Sequence, residues 1–134
     1  MTKLADIEGV GPAYAAKLEE TGVKHEEALL SMGSTPKGRK ALAEKSGISE
    51  KLILKWVNRV DLARIKGIGS EYADLLEVTG VDTVVELATR KPENLVAKMA
   101  EVNETKKLVR KLPTLTQVQD WVKQAKELPR AVNY

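Results

Sequence analysis

The sequence predicts an all-α protein made of two tandem units of short helices, residues 1–61 and 62–134, each opening with a Gly-apolar-Gly turn ahead of a helix. Three observations carry this. The hydrophobic content is 43%, yet there is no Phe and only two Trp and three Tyr, so the core must come from Leu, Val, Ile and Ala, which suit short close-packed helices. Leu4–Val23 recurs at Leu62–Val81 with a constant offset of 58 and 12 identities in 20 positions, the mark of an internal duplication. No stretch alternates apolar and polar residues as a half-buried strand does, whereas helix start and stop signals recur along the chain.

Each unit begins with a Gly-apolar-Gly turn, Gly9-Val10-Gly11 and Gly67-Ile68-Gly69. Pro12 is suited to the first helical position and Gly22 to the residue past the helix end. Tyr14, Ala15 and Leu18 between them share one face. "HEEALLSMG" reads as a short helix stopped by Gly33. Ser34 or Thr35 caps the next, with Pro36 first and Gly47 last. Ser49 then caps "EKLILKWVNRVDLARIKG", whose residues 51–67 read as one unbroken amphipathic helix with no Gly, Pro or Ser linker at the junction. The two units are therefore expected to pack as one rigid body.

In the second unit Asp82 is the expected cap of "TVVELAT", Pro92 opens "PENLVAKMAE", and Asn103 caps "ETKKLVRKL". Thr116 with Gln119 fits a capping box for a final helix, ended by Pro129. Trp56-Val57 corresponds to Trp121-Val122 at an offset of 65, so the second unit has a C-terminal part longer by seven residues. The duplication predicts that 4–33 and 62–91 superpose with their glycine turns in register.

The helix, Gly-apolar-Gly turn, helix and "TGV" exit are similar to the helix-hairpin-helix motif, and each half resembles the five-helix units of recombinase N-terminal domains. There "KSGISEKL" around Gly47 and "AEVNETKKL" around Val102 would be second, weaker hairpins. Nearly the whole chain also resembles an uncharacterised bacterial family, domain of unknown function 4332. The stretches "GIGSEYADLLEVTGVDTVVELA", "KMAEVNETKKLVRKLPT" and "VQDWVKQAKELPR" carry that resemblance. It implies a fold and no established activity. Helix-hairpin-helix relatives contact the phosphates of one strand without reading bases, and some hold a monovalent cation on the hairpin carbonyls. No other cofactor is expected.

Physical chemistry weighs the hairpins both ways. The first glycine of each turn would adopt backbone angles costly to other residues, and the second would keep side chains away from a ligand. Valine at Gly11 or Gly69 is expected to destabilise the fold, because its branched side chain would collide where the two helices of the hairpin approach and would meet forbidden backbone angles. The helix behind each turn offers unpaired N–H groups and a partial positive charge. Against this, Pro12 lacks a donor, Glu71 sets a carboxylate in the first turn of its helix, and Ala13 stands where such hairpins often carry Lys.

Charge is blocked along the chain. Residues 1–33 carry net −3, 34–66 carry +6, 67–90 carry −4 and 91–134 carry +4, for a total of +3. Lys37, Arg39 and Lys40 cluster at the start of a helix, where positive charge opposes the dipole. Lys106, Lys107, Arg110 and Lys111 form a second cluster, with Lys107/Lys111 and Lys106/Arg110 sharing helix faces. Tyr14, Tyr72, Trp56 and Trp121 are expected to pack the core of their own halves with polar tips at its edge.

There is no Cys, one His (His25, expected to be simply solvated) and no metal-ligand spacing. No catalytic residue is assigned, and an enzyme is not expected. The N-terminus lacks an apolar signal-type run and no uncharged stretch approaches a membrane span, so a cytoplasmic protein without a membrane partner is expected. The leading expectation is a non-enzymatic module binding nucleic acid, as DNA, without sequence preference, through the two hairpins and the basic clusters. The alternative is a protein-interaction or scaffold module without nucleic acid, and the alternating charge blocks would also suit self-association.

Overall fold

Capping chemistry sets the helix boundaries. The computed structural model describes residues 4–7 and 9–134; residues 1–3 and 8, which include part of the stretch searched for a signal sequence, lie outside the described residues. The described chain is all-helical. A 3-10 helix, Leu4–Asp6, precedes α1 (Gly11–Glu20), α2 (Glu26–Met32), α3 (Pro36–Ser46), α4 (Glu50–Leu62), α5 (Ser70–Thr79), α6 (Val84–Ala88), α7 (Pro92–Lys106) and α8 (Leu115–Glu127).

Several expected caps form as read. The Thr35 hydroxyl accepts from Gly38 N–H with Pro36 opening α3, Ser49 Oγ accepts from Leu52 N–H at the start of α4, and Gly33 and Gly47 close α2 and α3. Others move. α6 is capped by Thr83, not Asp82: Thr83 is extended and buried, so its hydroxyl takes the Glu86 amide in place of water. The capping box is Thr114 with Gln117, two residues before the expected pair. Both pairs fit the pattern, and the earlier one adds two residues to the helix. α1 starts at Gly11, which makes Pro12 its second residue. His25 is not merely solvated, since its Nδ1 accepts from Ala28 N–H at 3.3 Å and caps α2. The same Nδ1 lies 3.0 Å from Glu27 Oε2. A nitrogen that accepts an amide proton has none to give to Glu27, so the two contacts exclude one another.

Two longer-range expectations are corrected. α4 ends at Leu62 instead of running to Gly67, because the Ile65 and Ile68 amides turn back to the Leu62 and Ile65 carbonyls. Asn103 does not start a helix, and no hairpin forms around Val102. α7 runs unbroken through both to Lys106, where Lys107 closes it in the left-handed conformation (φ 50°). The Asn103 side chain reaches forward instead, donating to Val109 C=O and accepting from Val109 N–H, both at 3.1 Å.

Contacts divide the chain into two units, one running to Asp61 and including Ala131–Tyr134, the other Leu62–Arg130. In the first, the 3-10 helix packs on α1, and α3 packs on α1 and α2, around Leu4, Leu18, Leu29, Ile53, Trp56 and Val57. In the second, α5 packs on α7, and α8 on α6 and α7, around Leu62, Ile65, Leu76, Leu87, Met99 and Trp121.

The opening turn is built the same way in both units. Ile7 and Val10 amides bond to Leu4 and Ile7 carbonyls, as Ile65 and Ile68 do to Leu62 and Ile65, and Val23 and Val81 amides return to Leu18 and Leu76. Gly9 (φ +86°) and Gly67 (φ +101°) lie against an indole edge: a Cβ would stand 3.6 Å from Trp56 Nε1 and 2.9 Å from Trp121 Nε1. The second glycines differ. Gly11 has φ +69°, whereas Gly69 is extended (φ −97°), and a Cβ on either meets nothing within 4 Å. The expected collision of valine at these two positions therefore does not arise, and only Gly11 retains a conformational cost. Gly67→Ala should lose about 1–3 kcal/mol from strained angles and the indole contact. Gly69→Ser should be neutral or gain up to about 1 kcal/mol, because its hydroxyl can cap α5. Urea unfolding of the two variants checks the contrast.

Candidate nucleic-acid interface

In each glycine turn the middle residue is an apolar plug. Val10 and Ile68 are 3% and 5% exposed, which turns the flanking glycine backbone outward. The helices that follow, α1 and α5, begin without a side-chain cap. In α5 the first backbone bond behind the turn is Ala73 N–H to Gly69 C=O, so the amides of Ser70, Glu71 and Tyr72 precede it at the positive end of the helix. Exposed Glu71 shares that end. In α1 Pro12 removes one donor.

The second turn has basic company. Tyr72, third residue of α5, donates its hydroxyl to the Lys111 carbonyl at 3.0 Å. That bond ties the loop after α7 to the start of α5. Buried Val109 and Pro113 anchor the loop, and Lys106, Lys107, Arg110 and Lys111 are all exposed. Their expected helical faces do not exist, because the helix ends at Lys106. The Tyr72 bond instead ties Lys111, in this loop, to α5, and exposed Lys66 directly precedes the Gly67-Ile68-Gly69 turn. Lys66 N–H and C=O are held in turn by the Gln124 side chain of α8, at 2.9 and 3.1 Å.

The first basic cluster separates. Lys37 and Lys40 are exposed on α3. Arg39 is 5% exposed, its guanidinium donating to Gly33 C=O at 2.8 Å and Asn133 C=O at 2.7 Å, with the Tyr134 ring 5.9 Å away. A buried guanidinium held by two carbonyls belongs to the framework, and Arg39 leaves the set of phosphate-facing cations.

The aromatic residues pack as expected. Tyr14 and Trp56 have ring centroids 5.1 Å apart at 54°, and Tyr72 and Trp121 5.2 Å apart at the same 54°. Sequence reasoning missed an open cleft of about 460 Å³ beside the start of α7, lined by Thr79, Thr89, Arg90, Lys91, Asn94 and Lys98. Lys91 and Lys98 are exposed there, while Arg90 is bonded to Glu86 and to Gly80 C=O. Its lysines are seven residues apart, two helical turns on one face, which is the signal that could have shown it. Among the described residues no His/Cys/Asp/Glu group could hold a metal ion, and no helix is long and apolar enough to cross a membrane.

A family model described as Domain of unknown function (DUF4332) matches residues 8–128. The chain belongs to this family. No curated protein and no solved structure matches it. The DUF4332 match takes in both glycine turns, every α-helix above and the basic loop, and it stops before the Ala131–Tyr134 segment.

The burial of Arg39 gives a test that separates it from its neighbours. Arg39→Met should cost about 1.5–3 kcal/mol through lost charge-assisted bonds to two carbonyls, whereas Lys37→Ala should stay within about 0.5 kcal/mol. Hydrogen exchange of the α2–α4 amides in the two variants measures this.

Proposed function

We propose that this DUF4332 chain is a non-enzymatic module that binds the phosphate backbone of nucleic acid, foremost DNA, without reading sequence. The observation that supports the reading is the Tyr72–Lys111 hydrogen bond, which ties the basic loop to the start of α5, the helix behind the Gly67-Ile68-Gly69 turn. Backbone amides at Gly67-Ile68-Gly69 and the start of α5 supply directional donors, and Lys66, Lys106, Lys107, Arg110 and Lys111 supply charge. Phosphate contacts of this kind position a protein and carry no base information. Gly9-Val10-Gly11, with Lys37 and Lys40 elsewhere in the first unit, gives a weaker second contact, since Pro12 withholds a donor and Arg39 is buried.

If about four cations touch phosphate, log affinity falls with log salt at a slope of roughly −3 to −4 on duplex DNA, with a Kd on the order of 10–100 μM at physiological salt. Reversing Lys106, Lys107, Arg110 and Lys111 to Glu should abolish binding and leave the helical circular dichroism intact. Glu71→Lys should strengthen binding and steepen the slope by about one. Fluorescence anisotropy with duplex and single-stranded DNA and RNA across salt measures all three. Wild-type protein that binds none of them at about 50 mM salt overturns the reading.

A further inference from the structure

The cleft beside α7 carries positive charge that its neighbours do not cancel. Its volume of about 460 Å³ falls in the range of small-ligand sites, and it lies wholly in the second unit. Lys91 and Lys98 line it, are exposed, and make no ion pair with a described residue. Arg90 stands with them as a fixed cation. Its Nε and Nη2 donate to Glu86 Oε1 at 3.1 and 2.9 Å, and Nη2 also donates to Gly80 C=O at 3.1 Å. Held from two sides, the planar guanidinium is preorganised, and its Nη1 donors are left for a ligand. Among the described residues no carboxylate lines the cleft.

The duplication supplies an internal comparison. At the offset of 58 that relates the two units, Met32 and Gly33 stand where Arg90 and Lys91 do. Met32 is itself exposed. The repeated sequence thus accepts uncharged residues at both positions, and helix packing does not demand the cations of the cleft.

The polar neighbours narrow the ligand class. Thr79 and Thr89 spend their hydroxyl protons on the Leu75 and Glu86 carbonyls, each at 2.7 Å. Their oxygens keep acceptor lone pairs, which match hydroxyl donors and not a further anion. Lys91, Asn94 and Lys98 follow one another at spacings of three and four, so one face offers an amide between two cations. The two lysine positions are about 10 Å apart along the helix. No aromatic ring lines the cleft, so no platform there stacks a base. Anions at two ends with hydroxyls between them describe a phosphorylated sugar.

We propose that this cleft binds a small sugar or polyol carrying phosphate at both ends. Arg90 and Lys91 take one phosphate, Lys98 takes the other, and Asn94 with the two threonines takes the hydroxyls between. The site shares no residue with the Gly67-Ile68-Gly69 turn or the basic loop.

Amide NMR of the full chain tests the site, with titrations of fructose bisphosphate, singly phosphorylated fructose, fructose and inorganic phosphate. The bisphosphate should move the amides of residues 89–98 with a Kd below about 1 mM, at least about tenfold tighter than the monophosphate or inorganic phosphate. Free fructose should not bind. Lys91→Gln and Lys98→Gln should each weaken the bisphosphate at least about fivefold and leave amides away from the cleft unmoved. A bisphosphate that moves no cleft amide at about 10 mM overturns the proposal. Inorganic phosphate binding as tightly also overturns it, because the cleft is then an unselective anion surface. So does a third outcome, in which the two lysine variants weaken duplex DNA while the sugar phosphates leave the cleft unmoved, since the cleft then belongs to the nucleic-acid surface. Reversal of Lys106, Lys107, Arg110 and Lys111 to Glu should leave bisphosphate binding intact, so either reading fails without the other.

Discussion

Each unit is organised around a glycine laid against the edge of a tryptophan. The chain must reverse within a few residues between a short turn and a helix, and it does so at Gly9 and Gly67 with φ near +90°, which L side chains rarely adopt. At Gly67 the indole also stands 2.9 Å from where a Cβ would sit, so conformation and packing both impose glycine there, whereas at Gly9 the 3.6 Å spacing is ordinary contact and conformation alone does. The tryptophan comes from a helix far along the unit, α4 or α8, and is itself nearly inaccessible. Closing the turn and closing the core are thus one event. A tyrosine from the helix after the turn leans on the same indole at the same angle in both units, which fixes that helix's rotation about its axis.

What surrounds this common frame differs, and the differences decide the chemistry. In the second unit the tyrosine hydroxyl reaches the backbone at Lys111 and draws the basic loop to the turn. In the first, the ring of Tyr14 carries Lys17 from its own helix, 5.8 Å from the centroid. Residues 34–66 carry a net charge of +6. Part of that charge, Arg39, is consumed inside the unit, where it joins the turn after α2 to Asn133. Charge counted along a chain does not distinguish a guanidinium facing water from one facing carbonyls.

Much of the fold was legible because helix punctuation is local chemistry. Pro36, Gly47, Ser49 and Pro92 act within one turn of themselves, and they fell where they were read. The misplacements share a cause. Asp82 and Thr83, or Thr114 and Thr116, are near-equal caps, and burial of Val84, Leu87, Val118 and Trp121 chose between them. Asn103 is a good helix starter in isolation, yet its amide finds both polar groups of Val109 six residues ahead and holds a loop there. The loop cations were identified as a group from sequence, but their arrangement was not, since it depends on that bond and on Tyr72. The packing of Val132 and Asn133 on the first unit left no local trace, because the partners are separated by up to 99 positions.

Glu71 bears most directly on how the second turn can act. Gly69 gives α5 no side-chain cap, so the carboxylate in the first turn is what complements the dipole there, by about 0.3–1 kcal/mol. The helix is therefore stable without an anion at its start, and the turn has a structural role whether or not a ligand is present. An arriving phosphate must share the site with that carboxylate, so the amides alone give little net attraction. The remaining attraction has to come from charges that approach from the side. The loop that follows Lys106 is tied to α5 by the Tyr72–Lys111 bond and anchored by buried Val109 and Pro113. Under the proposed function, binding would have to be weak, salt-sensitive and sequence-blind, because a carboxylate already occupies the helix start and the added attraction is electrostatic.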